Sequence, residues 1–74
     1  MNIDHIKTYM EIATTGNFNR AAERLNVTQS TVSARIKALE ERLDQPLVNR
    51  NRSGVELTAA GQRFYDYALT RVRA

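Results

Sequence analysis

Uncharged hydrogen-bonding side chains are concentrated in one short stretch of the sequence, VTQSTVS, which covers residues 27–33. Five of these residues carry a hydroxyl or an amide, and such groups donate as well as accept hydrogen bonds. At the start of a helix they suit recognition of mixed donors and acceptors, such as base edges in a DNA groove. A purely structural role is the alternative, because the same groups can satisfy the free N–H groups at the start of a helix.

Positive charge is unevenly distributed along the chain. The formal net charge is +3, yet residues 1–44 contain six bases and six acids, whereas residues 45–74 contain five Arg and two acids. Nine of the eleven basic residues are Arg, whose planar guanidinium forms bidentate hydrogen bonds with phosphates and with guanine. The balance is compatible with a polyanionic partner, and also with an ordinary solvated surface.

Residues suited to other chemistry are scarce. Cys is absent and His5 is alone, so disulfides and the usual metal sites are excluded, and no spacing places a base beside a nucleophile. No apolar run approaches the ~20 residues of a membrane span, and the start MNIDHIKTYM does not resemble a secretory signal. We therefore predict no enzyme, no metal, no cofactor and no membrane partner. The lack of Cys is compatible with the cytoplasm.

Two helices are predicted before the polar stretch. The first has apolar residues at three- and four-residue steps and should end near Gly16. Its apolar stripe is predicted to be Ile3, Ile6, Met10 and Ala13. Asn17 suits the N-cap of a second, short helix, and Asn26 suits a tight turn that needs positive φ. This second helix is expected to bury Phe18, Ala21, Ala22 and Leu25.

A third helix, capped by Thr28, should end near Asp44, ahead of Pro46. It is expected to bury the 4-3-4 series Val32, Ile36, Leu39 and Leu43. Two helices joined by such a tight turn form a helix-turn-helix, whose second helix enters the major groove of DNA. The residues that then face outward at the helix start are Gln29, Ser30, Ser33 and Lys37.

The remaining residues predict a β-hairpin and a fourth helix. The hairpin turns at residues 51–54 and carries Arg50, Asn51 and Arg52 at its tip. Thr58 should cap the fourth helix, which has two apolar stripes, one of Ala60, Phe64 and Ala68 and another of Tyr65, Leu69 and Val72. Two stripes exceed what one small domain can cover, and the pattern reaches residue 74 without a stop signal. We expect the front part of a longer protein.

The segment AAERLNVTQSTVSARIKALEERLDQPLVNR, followed by GVELTAAG, resembles the N-terminal domain of LysR-type transcriptional regulators. The resemblance runs from Met1 to about Ala68. It implies a mostly α fold, a winged helix-turn-helix with a three-helix core, a small β-hairpin wing and a fourth linker helix. It further implies a homodimer through the fourth helix, bound to double-stranded DNA in the bacterial cytoplasm. A small-molecule effector would bind a C-terminal domain outside this sequence.

The domain boundaries expected on this basis are 1–57 for DNA binding and 58–74 for the start of the dimerisation helix. By resemblance, residues 29–43 form the recognition helix and residues 49–54 the wing. Many members carry a basic residue at the position of Ala34, so the order Ala34-Arg35 shifts that contact to Arg35. The DNA-contact candidates are Asn17, Arg20, Thr28, Gln29, Ser30, Thr31, Ser33, Arg35, Lys37, Arg50, Asn51 and Arg52, and the dimer candidates are Tyr65, Leu69 and Val72.

Rival functions remain at this point. Some winged helices bind proteins, and the neutral balance of residues 1–44 is compatible with that. A single-stranded RNA binder would need exposed aromatic residues. Tyr9, Tyr65 and Tyr67 are not clustered on a strand, so we expect them in the core or at a subunit contact.

Overall fold

The computed structural model describes residues 2–72, without the side chain of Val72. In chain order it contains α1 (Ile3–Thr15), α2 (Phe18–Leu25), α3 (Gln29–Leu43), β1 (Val48–Asn51), β2 (Gly54–Leu57) and α4 (Ala59–Val72). The predicted winged helix-turn-helix is confirmed: three helices form the core, and a hairpin and a fourth helix follow. Within the described range, no helix combines the length and the apolar character needed to cross a membrane.

Side-chain caps fix where each helix begins. The Oδ1 of Asn17 accepts from the N–H of Arg20 at 2.9 Å, and the Oγ1 of Thr28 accepts from the N–H of Thr31 at 3.1 Å. Thr58 does the same for the N–H of Gly61 at 2.9 Å. Each contact satisfies a donor that the helix itself leaves free. The three predicted caps are therefore confirmed, and a fourth cap, Asn2, precedes α1.

Left-handed residues end the first three helices. Gly16 has φ 66°, Asn26 has φ 58° and Asp44 has φ 55°. Gly adopts this conformation freely and Asn tolerates it best among the other residues, as expected for Gly16 and Asn26. Asp44 holds the same conformation at the end of α3, and this turns the chain toward β1.

The core lies where α1 meets α2, α3 and α4. Tyr9 and Ile12 are fully buried there, although the predicted stripe of α1 did not include them. Ile3, which it did include, is 48 % exposed. A single stripe is the pattern of a helix packed on one side. Because three helices surround α1, its buried face is wider, and the stripe prediction was wrong at these positions.

The hairpin is antiparallel, with Val48 opposite Leu57 and Asn51 opposite Gly54. Its inner end is held by α3, since the carboxylate of Glu40 accepts from the N–H of Leu47 at 2.8 Å. Its second strand, β2, contacts the corner between α1 and α2, where the N–H of Val55 donates to the carbonyl of Gly16 at 3.1 Å. The wing is therefore fixed to the helical body at two points.

Gly54 permits this close approach. It has φ 129°, and a Cβ added there would lie 2.7 Å from the carbonyl oxygen of Gly16. Both the backbone conformation and the space therefore exclude a side chain.

A joint of four residues, Tyr9, Leu47, Gly61 and Phe64, attaches α4 to the body. The Tyr9 hydroxyl donates to the carbonyl of Gly61 at 2.8 Å, and the Phe64 ring meets the Tyr9 ring edge-on at 5.4 Å. A Cβ on Gly61 would overlap the carbonyl oxygen of Leu47. Burial, and then the nearby Glu40 carboxylate, raises the pKa of the Tyr9 hydroxyl above its usual value, so it remains a donor. The predicted core position of Tyr9 is confirmed.

Candidate DNA interface

The first half of α3 has one buried side and one side in solvent. Val32, Ile36 and Leu39 are at most 2 % exposed and pack on the core. The predicted 4-3-4 spacing is correct for these three residues and leaves the opposite side free. The uncharged or basic residues on that side are Gln29, Ser30 and Lys37, which are exposed, and Ser33, which is half-buried.

Two of the short hydroxyls serve the helix start. The Thr28 Oγ1 that caps α3 lies 2.9 Å from the hydroxyl of Thr31 and 3.3 Å from that of Ser30. The structural interpretation, in which Thr28 and Ser30 satisfy free N–H groups of the helix start, is therefore correct for Thr28, whereas the Ser30 hydroxyl contacts the Thr28 hydroxyl. Within residues 2–72, the side chains of Gln29 and Ser33 make no hydrogen bond, so their donors and acceptors remain available.

The tip of the wing carries Arg50, Asn51 and Arg52, all exposed. The Arg50 guanidinium lies over the Phe18 ring, 4.0 Å from its centroid, which is a cation–π contact between the wing and α2. The Oδ1 of Asn51 accepts from the N–H of Ser53 at 2.9 Å and so tightens the turn.

A small open cleft of about 150 Å³ lies where the wing meets the starts of α2 and α3. Four of the predicted residues, distant in sequence, line it together: Asn17, Gln29, Arg50 and Asn51. Asn19 also lines the cleft, although it is not among the residues predicted from the sequence. Its exposed place in the first turn of α2 was the only available signal.

A second groove, of about 320 Å³, runs between the solvent side of α3 and β1. Ser33 and Lys37 line one of its sides and Arg50 lines the other. The outward face of α3 and the wing thus form one continuous surface. Arg20 is also exposed on α2, and it is the residue whose N–H the Asn17 side chain caps.

Arg35 lies apart from this surface. Its guanidinium donates to the hydroxyl of Thr8 on α1, with Nη1 3.2 Å from Oγ1. Helical residues two apart differ in direction by about 200°, so Arg35 is on the other side of α3 from Ser33 and Lys37. Of the twelve DNA-contact candidates, Arg35 is the one that the structure directs into the protein.

Negative charge on α3 is confined to its C-terminal end, and one of the carboxylates there, that of Glu40, also lines the second groove. Glu40, Glu41 and Asp44 lie in the last turns of α3, at the end opposite Gln29. Glu11 is paired with Arg24 at 2.6 Å on the outside of α1 and α2, and this hydrogen bond raises the pKa of Arg24. Among residues 2–72, no three metal-binding side chains come together.

The dimer candidates on α4 are only partly accessible. Tyr65 and Leu69 are half-buried against the core, and the side chain of Val72 lies outside the described residues. Among the described side chains of α4, the large apolar one that is exposed is Tyr67, at 49 % exposure. It borders an open groove of about 430 Å³ with a largely apolar lining, formed with Leu43, Leu47, Ala60 and Phe64.

Comparison with known proteins identifies the family. The family model described as "Bacterial regulatory helix-turn-helix protein, lysR family" matches residues 3–62. This chain belongs to the LysR family. The HTH-type transcriptional regulator HdfR of Escherichia coli O139:H28 (strain E24377A / ETEC) is 46 % identical over 70 residues, which are 95 % of this chain. The chain spans 25 % of the length of HdfR.

Solved LysR-family structures share the fold closely. The CbnR_DBD–DNA complex matches with a TM-score of 0.94 at 36 % identity, over 99 % of this chain and 84 % of that one. The complex of BenM_DBD with catB site 1 DNA also reaches 0.94, at 30 % identity, over 99 % of this chain and 82 % of that one. The resemblance stated from the sequence is therefore confirmed, both in the family and in the fold.

Proposed function

We propose that this LysR-family domain binds double-stranded DNA in a sequence-specific manner and thereby serves transcriptional regulation. The observation that carries the proposal is the continuous surface formed by the outward face of α3 and the wing. It combines free hydroxyl and amide groups with Arg and Lys, and the acidic residues of α3 lie toward its C-terminal end, where Glu40 lines the groove beside Lys37. The CbnR and BenM domains that match this fold are in complexes with DNA.

In the proposed complex, the first half of α3 enters the major groove. The Gln29 amide can form a bidentate hydrogen bond with adenine, and the Ser33 hydroxyl can donate to or accept from any base. Longer charged side chains at these positions would meet the groove floor. Lys37 lies further along α3 and is long enough to reach a phosphate, whereas Thr28 and Thr31 contribute mainly by fixing the helix start.

The wing and α2 supply the positioning contacts. Arg52 at the hairpin tip can contact a phosphate or enter a narrow minor groove. Asn17 and Arg20 at the start of α2 can contact the backbone, where the helix N-terminus favours a phosphate. Such contacts fix register without reading sequence.

We also propose a homodimer through α4, from residue 58 onward, in the bacterial cytoplasm. The support is the exposed Tyr67 beside an apolar groove, together with the half-buried Tyr65 and Leu69. A two-fold dimer would place its recognition helices about 34–36 Å apart, one turn of DNA. The effector site would belong to the remainder of the whole protein.

A salt titration of duplex binding tests the proposal. Release of counterions makes the logarithm of the association constant fall steeply with the logarithm of salt concentration. Arg52→Met should reduce this slope by about one, because one phosphate contact is lost. The matched control is Arg42→Met, which removes the same charge from the exposed far end of α3 and should leave the slope unchanged. A flat slope for the wild-type chain would instead favour a protein-interaction module.

A further inference from the structure

We infer that Arg35 is a positioning residue, which sets the rotation of α3 through the buried hydroxyl of Thr8 and does not itself contact DNA. The inference rests on the proposed function. Thr8 is fully buried, and its hydroxyl donates to the carbonyl of Asp4 at 2.7 Å. The same oxygen accepts from the Arg35 guanidinium at 3.2 Å. This chain of contacts connects α3 with the backbone of α1.

The chemistry of the pair explains why Arg occupies this position. A hydroxyl has one donor and two acceptor sites, and the donor of Thr8 is used by Asp4. The side that faces α3 can therefore only accept. A guanidinium is a donor without any acceptor, and its long stem reaches across the helix interface. An apolar side chain at position 35 would leave a buried oxygen with an unused acceptor.

The contact adds a directional restraint between α3 and α1, whose interface is otherwise apolar on the α3 side, and it acts nearer the start of α3 than the Glu40 contact with the hairpin does. Val32, Ile36 and Leu39 attach α3 to the core through apolar contacts, which have little directionality. Side-chain tips lie about 6 Å from a helix axis, so a rotation of about 20° would move Ser33 by roughly 2 Å. Hydrogen bonds do not tolerate a displacement of that size. The directional hydrogen bond between Arg35 and Thr8 therefore maintains the orientation of the α3 side chains that face the DNA groove.

Three variants separate positioning from direct contact. Thr8→Val keeps the shape and removes the hydroxyl, Arg35→Met keeps the stem and removes the donors, and Lys37→Met is the control on the groove side. For each we would measure the salt slope and the affinity ratio between the best duplex selected from a random library and a scrambled duplex.

Thr8→Val and Arg35→Met should each lower the affinity ratio about ten-fold, the size of one lost base contact, without changing the salt slope. The double variant should be no worse than either single variant, because both break the same contact. Thr8→Ser retains the hydroxyl and should restore the wild-type ratio. Lys37→Met should lower the slope by about one.

Direct DNA contact by Arg35 predicts a different result. Arg35→Met would then reduce the slope by about one, and Thr8→Val would change neither quantity; this pair of outcomes overturns the inference and leaves the proposed function intact. A flat salt slope for the wild-type chain would overturn both. Circular dichroism of every variant identifies those that do not fold. If Arg35→Met is unfolded, Thr8→Val still decides, because an unchanged affinity ratio in that variant would contradict the inference.

Discussion

The joint of Tyr9, Leu47, Gly61 and Phe64 differs from the surface formed by α3 and the wing in how its polar groups are used. In the joint, the Tyr9 hydroxyl is buried and committed to the carbonyl of Gly61. On the surface, Gln29 and Ser33 retain free groups, and Arg52 extends into solvent. Within residues 2–72, no buried side-chain nitrogen or oxygen lacks a partner. The joint therefore supplies stability, whereas the surface keeps part of its side chains, Gln29, Ser33 and Arg52, free for recognition.

The largest effect should follow from Gly61→Ala. The added methyl group overlaps the backbone of Leu47 and the Tyr9 hydroxyl, so α4 has to move away from the body. Overpacking of this kind costs about 1–3 kcal/mol, and a clash with backbone should reach the upper end. Urea unfolding measures the loss. Thr70→Ala, an exposed change on the same helix, should stay within about 0.5 kcal/mol. If Gly61→Ala were as stable as wild type, the close packing of α4 against Leu47 and Tyr9 at the joint would be wrong.

Tyr9→Phe should have the next largest effect. It removes a buried hydrogen bond to Gly61 and should cost about 1–2 kcal/mol of unfolding free energy near pH 7. The folded-state pKa of Tyr9 is raised, so its contribution is complete below about pH 10 and falls as the pH rises beyond that.

Unfolding measured at pH 7 and pH 11 tests the sign of this effect. Wild type should lose more stability between the two pH values than Tyr9→Phe does. Tyr67→Phe is the matched control, since Tyr67 is half exposed and should behave like wild type. The same alkaline loss in Tyr9→Phe and wild type would show that Tyr9 is not the group responsible.

The smallest effect on stability, under about 0.5 kcal/mol, is expected for Gln29→Ala, because the side chain is exposed. Discrimination between base pairs should nevertheless fall by about 1 kcal/mol at one position of the site. Competition between selected duplexes and their single-base variants measures this. Gln45→Ala, an exposed position just past the C-terminal end of α3, is the control. If Gln29→Ala left the base preference unchanged, the proposal that α3 reads bases in the major groove would be wrong.

Contacts within a few residues of each other could be predicted from the sequence. Asn17, Thr28 and Thr58 each cap the helix that starts directly after them, and a cap depends only on residue type and the next turn. The turn at Asn26 follows from the same local chemistry. These signals, with the 4-3-4 spacing of α3, were sufficient to predict the helix-turn-helix and which face of α3 is outward.

Contacts between distant residues could not be predicted in this way. Arg35 reaches Thr8 across 27 positions, and Glu40 accepts from the first residues of the wing. The Arg50 guanidinium stacks on Phe18 of another element. Each depends on the angle at which elements cross, and side-chain packing sets that angle only after the helices exist. The sequence therefore indicated which residues are exposed candidates, but not that Arg35 is held by α1.

The carboxylate of Glu40 also determines where the chain tolerates changes in length during evolution. It accepts from the backbone of Leu47 and, at 3.4 Å, of Val48, so the segment of residues 44–46 has to span a fixed distance. An inserted or deleted residue there would remove the N–H from its acceptor. The turn at Arg52 and Ser53 is exposed and can lengthen without such a loss. Relatives should therefore vary in the reach of the wing and keep the spacing at its base.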